Sequence, residues 1–468
     1  MEPPEDGDMT ARLPEDVLAD VLRRVALQRS LAVSRCVCKA WRAVIDGAGL
    51  VRGQLPFSGI FICFRRLSLP EFFSRPASRD LDQPAIGGKL DFLPRADGPR
   101  LDCHYYIEDH CNGLLLLQGN HIDDHYLYVV NPATRWRNAL PLCPPNHTKP
   151  EGIVLNHDYY LAFDPKVSSH YQVFQIPYLR WGEDAIDPSE ETSEWPPSPY
   201  ILHVFSSRTG CWEERLFVRQ GDAAGTLAKV RVFSEGQLHS VCWRGSLYVH
   251  CQSDFIMRIS LSEDKYSVIK PPMDIGWSSY MGLSEKGVYC ASFVENTHIL
   301  VYTLTESCDQ FEWMLKNHYD LKPVQMFDGQ VHGPWTLQDI NYGIFGSHLP
   351  NIKKEEVIQE KFEWNSDDDD DFHENLDIVE VQHRPYIEIE VLGFHPYKEI
   401  LFLSRSEDYK LNAMAFAYHL NSFKVEILGS IYPTGHRYFD SGIPNESQAI
   451  DCFPYTPCWN EETPERVN

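Results

Sequence analysis

The sequence predicts a mainly β protein preceded by a small helical module. Aromatic residues make up 12% of the 468 positions, which suits pleated, half-buried strands. Thirty-two prolines and 28 glycines supply frequent turns. From about Val51 onward, short apolar runs alternate with Gly, Pro, Asn and Asp, and long helical patterns are nearly absent. At 43% hydrophobic and 23% charged residues, most of the chain can bury a core.

Residues 1–11 are acidic and Pro-rich and read as disordered. A first helix follows, in which Val17, Leu18, Val21, Leu22 and Val25 share one apolar face. Pro14 suits its first turn, and Glu15 and Asp16 suit the positive end of its dipole. Ser30 can cap a second helix with Val33, Val37, Ala40, Trp41 and Val44 on one stripe, ended by Gly47 and Gly49. Two short helices cannot bury enough surface to stand alone, so they need the rest of the chain or a partner. The net charge of the chain is −25. Between Arg12 and Arg52, eight basic residues face four acidic ones, giving +4 there and −29 elsewhere. That asymmetry fits an acidic protein partner better than nucleic acid.

Leu13-Pro14, Val17-Leu18, Val21-Leu22, Ser30-Leu31 and the run Arg35-Cys36-Val37-Cys38-Lys39-Ala40-Trp41-Arg42 resemble the F-box of plant F-box proteins. The resemblance places an F-box at 12–50. It implies that Leu13, Pro14, Leu18, Leu22, Leu31, Val37, Cys38 and Trp41 contact an acidic Skp-type adaptor, and through it a cullin scaffold. This chain departs from the family at Val25-Ala26-Leu27-Gln28-Arg29, which lacks the Leu-Pro-Pro-like turn between the helices. Cys36 and Cys38 lack further ligands nearby and read as helix packing, not as a zinc pair.

Residues 51–455 carry the strands, among them Gly59–Phe64, Asn112–Leu117, Tyr126–Val130, Leu202–Phe205, Ser246–His250 and Ile299–Tyr302. An open sheet of that width would curl or split, whereas radial repetition into a β-propeller keeps edges short. A repeat of roughly 40–50 residues gives six to eight blades. A loose phrase supports repetition: a strand, an Asn/Asp-Pro or Ser-x-Thr-Gly turn, an aromatic, then Leu-Pro or Pro-Pro. It recurs at Val130–Trp136 with Leu140-Pro141, at Phe163–Pro165, at Ser206–Trp212, and at Leu261–Tyr266 with Pro271-Pro272. From Tyr105 to Pro433 these phrases, with Cys111–Leu115 and Gly393–Ile400, resemble the F-box-associated domain of plant F-box proteins. There the resemblance implies a propeller-like substrate-binding module.

Two stretches interrupt the strands. Arg180–Pro199 reads as a Pro-rich surface loop, and about 363–377, with Asp367–Asp371, as an acidic disordered insertion. Residues 456–468 read as a frayed tail. No phosphate loop, zinc-protease helix or nucleophile elbow occurs. His104, His110 and Cys111, like His121 and His125, lie close in sequence but read as strand and turn residues, so no metal and no cofactor is expected. The acidic segments offer no matched pair for acid–base work. Trp136, Trp212, Trp243, Trp277 and Trp313 are candidate recognition anchors, with blade packing as their alternative role.

The expected function is therefore a non-catalytic substrate receptor of an SCF-type ubiquitin ligase, with an unknown protein substrate and no nucleic-acid or membrane partner. The alternatives are a scaffold without a ligase role and a propeller hydrolase with an acidic or histidine-lined channel. Thirteen scattered cysteines and the lack of a leader-like apolar stretch point to the cytoplasm or nucleus.

Overall fold

The computed structural model describes residues 15–23, 41, 44, 57–64, 67–76, 88–94, 104–121, 124–144, 155–179, 192–228, 239–251, 255–272, 279–295, 297–307, 310–327, 333–341, 387–407, 413–432 and 449–458. The residues at 1–11, the Val25–Arg29 connection, Trp277 and the acidic run at 363–377 lie outside these.

After α1 (Glu15–Arg23) come β1 (Gly59–Phe64) and β2 (Glu71–Ser74). Blade 1 is β3 (His104–Cys111), β4 (Leu114–His121), β5 (Asp124–Asn131) and β6 (Trp136–Ala139). Blade 2 starts with β7 (Leu155–Ala162) and β8 (Gln172–Leu179), and the two-residue β9 (Glu194–Trp195) comes next. The blade is completed by β10 (Tyr200–Ser206) and β11 (Cys211–Gln220), after which β12 (Gly225–Thr226) pairs with β9. Blade 3 is β13 (Ser240–Trp243), β14 (Ser246–Cys251), β15 (Phe255–Ser260) and β16 (Lys265–Ile269). Blade 4 is β17 (Ser279–Ser284), β18 (Gly287–Val294), β19 (His298–Ser307) and β20 (Gln310–Asp320). The short α2 (Lys322–Gln325) and β21 (Thr336–Leu337) lead into blade 5, made of β22 (Ile387–Phe394), β23 (Ile400–Glu407), β24 (Met414–His419) and β25 (Val425–Ser430). Last comes β26 (Ala449–Tyr455).

The sixth blade joins the two ends of this region, in the order β21-β2-β1-β26. Gly59–Phe64 pairs with Tyr455–Ala449, so the last strand closes the ring against the first. The inner strands β26, β3, β7, β13, β17 and β22 touch in that circular order. Among the described residues the fold is therefore a β-propeller of six blades of four strands each, the lowest number the repeat length allowed, with blades 2 and 3 joined into one eight-stranded sheet by the parallel pairing of β11 with β16.

Middle strands are covered on both faces, and strands so covered read as continuous apolar runs. That is why GIFICF in β1 and SLYVHC in β14 are buried throughout. Each blade junction has its own apolar cluster. Leu116, Val129, Tyr171 and Phe205 fill the first, and Phe174, Phe217, Leu247 and Met257 the second. Tyr248, Ile256, Met281 and Val288 fill the third, and Tyr289, Tyr319, Phe394 and Phe416 the fourth. Phe73, Trp335 and Phe402 fill the fifth, and Phe61, Phe72, Leu115 and Tyr455 the sixth.

The repeated phrase has a structural cause. The Trp212 indole N–H donates to the Pro141 carbonyl of the preceding blade at 2.8 Å. Trp313 donates in the same way to the Lys270 carbonyl, just before Pro271-Pro272, at 3.1 Å. The aromatic of one blade thus caps the proline turn of the last. Trp136 lies edge-on to Tyr171 across the first junction, and Trp243 sits beneath Arg244. These four tryptophans are half-buried packing residues. Trp313→Phe should keep the ring contacts and lose one hydrogen bond, costing about 1 kcal/mol. A lower urea midpoint with an unchanged slope would show this, and an unchanged midpoint would refute the cap.

Two expectations need correction. Within Arg180–Pro199, Trp195 is buried in the second junction because β9 pairs with β12, so that part is no surface loop. Thr456–Cys458 are buried and do not belong to a frayed tail. Asn131 donates to the Cys458 carbonyl at 2.8 Å. The left-handed turn of Asn112 (φ 45) and Gly113 (φ 87) brings the backbone against this segment. A Cβ on Gly113 would fall 2.5 Å from the Cys458 nitrogen.

Candidate functional site

The inner strands converge on a central channel. At Glu108 a β-bulge interrupts β3: Ile107 pairs with Leu117 and Asp109 with Leu116, leaving Glu108 without a ladder partner. Bulges redirect side chains in this way. Burial, reinforced by the negative charges of Asp158, Asp451 and Asp109, pushes the Glu108 carboxyl up to about 7. Burial raises Asp158 and Asp451 to about 6. Three strands, β3, β7 and β26, thus bring carboxyls together that sequence reasoning left unmatched. Two adjacent acids inside a strand are the only local hint, since Asp158 and Asp451 are remote in the chain.

Asp109 is buried and bridges three inner strands. Its carboxylate accepts from the Leu161 N–H and the Ser240 hydroxyl, each at 2.7 Å. Burial pushes it up to about 7 despite these bonds. Burial also holds three nearby histidines neutral, with His110 and His250 pushed down to about 4 and His239 to about 3. His110 packs its edge on Phe453, while Cys111 turns to the other face and donates to the Phe163 carbonyl. His104 stacks on Tyr106. His121 pairs with Asp124 at the β4–β5 hairpin. Among the described residues no three His, Cys, Asp or Glu side chains assemble as a metal site.

The channel cavity, lined by Asp109, Cys111, His239, Cys242, Tyr280 and Tyr397 among others, has about 70 Å³ of open space. A water takes roughly 10–15 Å³ on this scale, and drug-sized pockets run to roughly 300–1,000 Å³. That space is enough for a few waters.

At the other end of the chain, the apolar face expected for α1 divides into a buried and an exposed half. Leu18 and Leu22 are buried, with 2% and 0% exposure. Val17 and Val21, each one residue earlier, are 42% and 48% exposed. Trp41 is half-buried and Val44 buried. Leu13, Pro14, Leu31, Val37 and Cys38 lie outside the described residues. Residues 11–52 match the F-box domain family. That stretch is an F-box domain.

Two Arabidopsis thaliana chains named as F-box proteins are similar to this chain. One is 26% identical over 277 residues, covering 57% of this chain and 62% of its own length. The other is 26% identical over 330 residues, covering 66% of this chain and 71% of its own. The match thus spans less than two thirds of the first relative. Among solved structures, the β-propeller domain of Nup133 from Vanderwaltozyma polyspora has a TM-score of 0.24 at 10% identity. That alignment covers 77% of this chain and 89% of the other. The F-box match at 11–52 precedes a ring that β26 closes against β1. No helix among the described residues is long and apolar enough to cross a membrane.

Proposed function

We propose that this protein is the substrate-recognition subunit of an SCF-type cullin ubiquitin ligase. One observation carries the reading: an F-box domain at 11–52 stands ahead of a closed six-bladed propeller. The F-box docks on a Skp-type adaptor, and through it on a cullin, while the propeller holds a protein substrate. The rate gain is effective concentration, since a substrate lysine is kept near the ubiquitin-loaded enzyme. No side chain of this chain takes part in the chemistry. The small channel cavity favours recognition on outer surfaces over catalysis within. The local charge of +4 attracts an acidic adaptor. Sites of action are the cytoplasm, the nucleus or both, where thiols are reduced at rest.

Of the set that the F-box resemblance implies, Leu13, Pro14, Leu31, Val37, Cys38 and Trp41 dock in this proposal, while Leu18 and Leu22 support the helix from within. Leu18 and Leu22 are buried within the chain, so they act by fixing α1, and the exposed Val17 and Val21 add apolar surface for the adaptor. Losing two desolvated valine contacts, each worth about 1.5 kcal/mol, corresponds to roughly 100-fold in affinity. The full-length chain should therefore retain recombinant adaptor and cullin in a pull-down. Val17→Asp with Val21→Asp should lose the adaptor while the propeller melts as before. A wild type that retains no adaptor, or a double variant that binds normally, would show the reading wrong at its first step. Adaptor retained without cullin would favour the scaffold alternative.

A further inference from the structure

The inner strands β3 and β13 make two rungs across the end of β7. At the first rung Ser240 donates to Asp109 at 2.7 Å. Two residues further along both strands stand Cys111 and Cys242. Residues i and i+2 of a strand share a face, so Cys111 and Cys242 lie on the same faces of β3 and β13 as Asp109 and Ser240, one step beyond the bond. They share one environment, since Cys242 packs against the apolar cluster that holds Cys111. Both thiols are free, and both line the channel cavity.

We propose that Cys111 and Cys242 are a reversible dithiol–disulfide site, closed by a small hydroperoxide that enters the channel. It is independent of the ligase reading. Cys242 is half-buried while Cys111 is buried, so Cys242 meets the oxidant first. Its thiol gives up a proton, the thiolate attacks one peroxide oxygen, the O–O bond breaks, and a sulfenic acid and hydroxide form, the hydroxide taking the released proton to become the first water. The Cys111 sulfur then attacks the sulfenic sulfur and displaces the hydroxyl, which leaves as water with the Cys111 proton. Two thiols and one hydrogen peroxide thus give one disulfide and two waters, with two electrons passing to the peroxide. A cavity of about 70 Å³ admits hydrogen peroxide and excludes glutathione disulfide. The bond would clip blade 1 to blade 3 over the end of blade 2 and close a long loop, which stabilises by restricting the unfolded chain.

The test uses the reduced full-length chain, treated with hydrogen peroxide, quenched by alkylation and mapped by mass spectrometry without reductant. The expected product is a linked peptide pair containing Cys111 and Cys242, reversed by dithiothreitol. The unfolding midpoint should rise by roughly 5 °C on oxidation. Cys111→Ser and Cys242→Ser should each remove the linked pair and the rise. The exposed Cys211 is an internal standard for oxidant dose. Oxidised Cys211 with Cys111 and Cys242 still alkylated as free thiols would overturn the proposal, as would a Cys111–Cys458 pair. The wild-type map decides even if a serine variant folds poorly. Glutathione disulfide closing the pair as fast as peroxide would overturn the channel route.

Discussion

A chain ended before Ala449 should fail to fold its propeller at all, although the deletion removes only the last strand and the short C-terminal stretch after it. β26 is the inner strand of the sixth blade, and it pairs along the whole of β1. Cys452, Phe453, Tyr455 and Cys458 are all buried. Removing them exposes Phe61 and Phe72, which pack on Tyr455, and leaves the N–H of Ser58 and the Asn131 amide without their carbonyl partners. Each large apolar side chain lost is worth about 1.5–3 kcal/mol. Together with the lost ladder this approaches the total stability of a domain, about 5–15 kcal/mol. An open ring also exposes the unpaired edge of β1, which invites aggregation. The truncated chain should show no cooperative thermal transition and should collect in the insoluble fraction. Tyr455→Ala is a milder probe, expected to cost about 3–5 kcal/mol. A truncated chain that melts at the wild-type temperature would show that the ring does not depend on its closing strand.

That closure explains how far the sequence could be read. Short strands, turns and the repeated phrase were legible because blade packing is local: Trp212 and Trp313 reach back one blade. The F-box was legible because its run from Arg35 to Arg42 is specific in itself. The illegible part was long-range. Nothing in Ala449–Tyr455 says that it pairs with Gly59–Phe64, so Thr456–Cys458 looked like a tail. Nothing near Glu108 says that Asp158 and Asp451 will face it from other blades. The buried carboxyls also defeat a reading from polarity, because Asp and Glu normally mark exposed positions. Glu71 is a second case. At 1% exposure it accepts the backbone N–H groups of Ile340 and Asn341, 269 and 270 residues downstream.

Asp109 is the residue whose loss should cost most for its size. Asp109→Ala strands the Leu161 N–H and the Ser240 hydroxyl in a site without other partners for them among the described residues. A buried donor left unpaired costs about 1–3 kcal/mol, so the pair amounts to about 2–6 kcal/mol. The pH dependence separates this bond-holding role from that of the charge. Asp109 is raised by burial to about 7 in the folded chain, far above its usual range. Below the unfolded value, near 4, the group is protonated in both states. Between that value and about 7 the folded state alone holds the proton, so its contribution to stability is lost as pH rises through that window. His110, His239 and His250, all lowered by burial, act in the opposite sense and cost stability as pH falls below about 6.5. Those histidines are shared by wild type and variant, so the difference between the two proteins isolates Asp109. Asp109→Asn keeps an oxygen that can accept both donors and cannot ionise. It should be destabilised relative to wild type at pH 5 and lose much of that deficit at pH 8, measured by urea midpoint. An equal deficit at both values would mean that Asp109 carries its charge without penalty, and that the channel is wetter than its 70 Å³ implies.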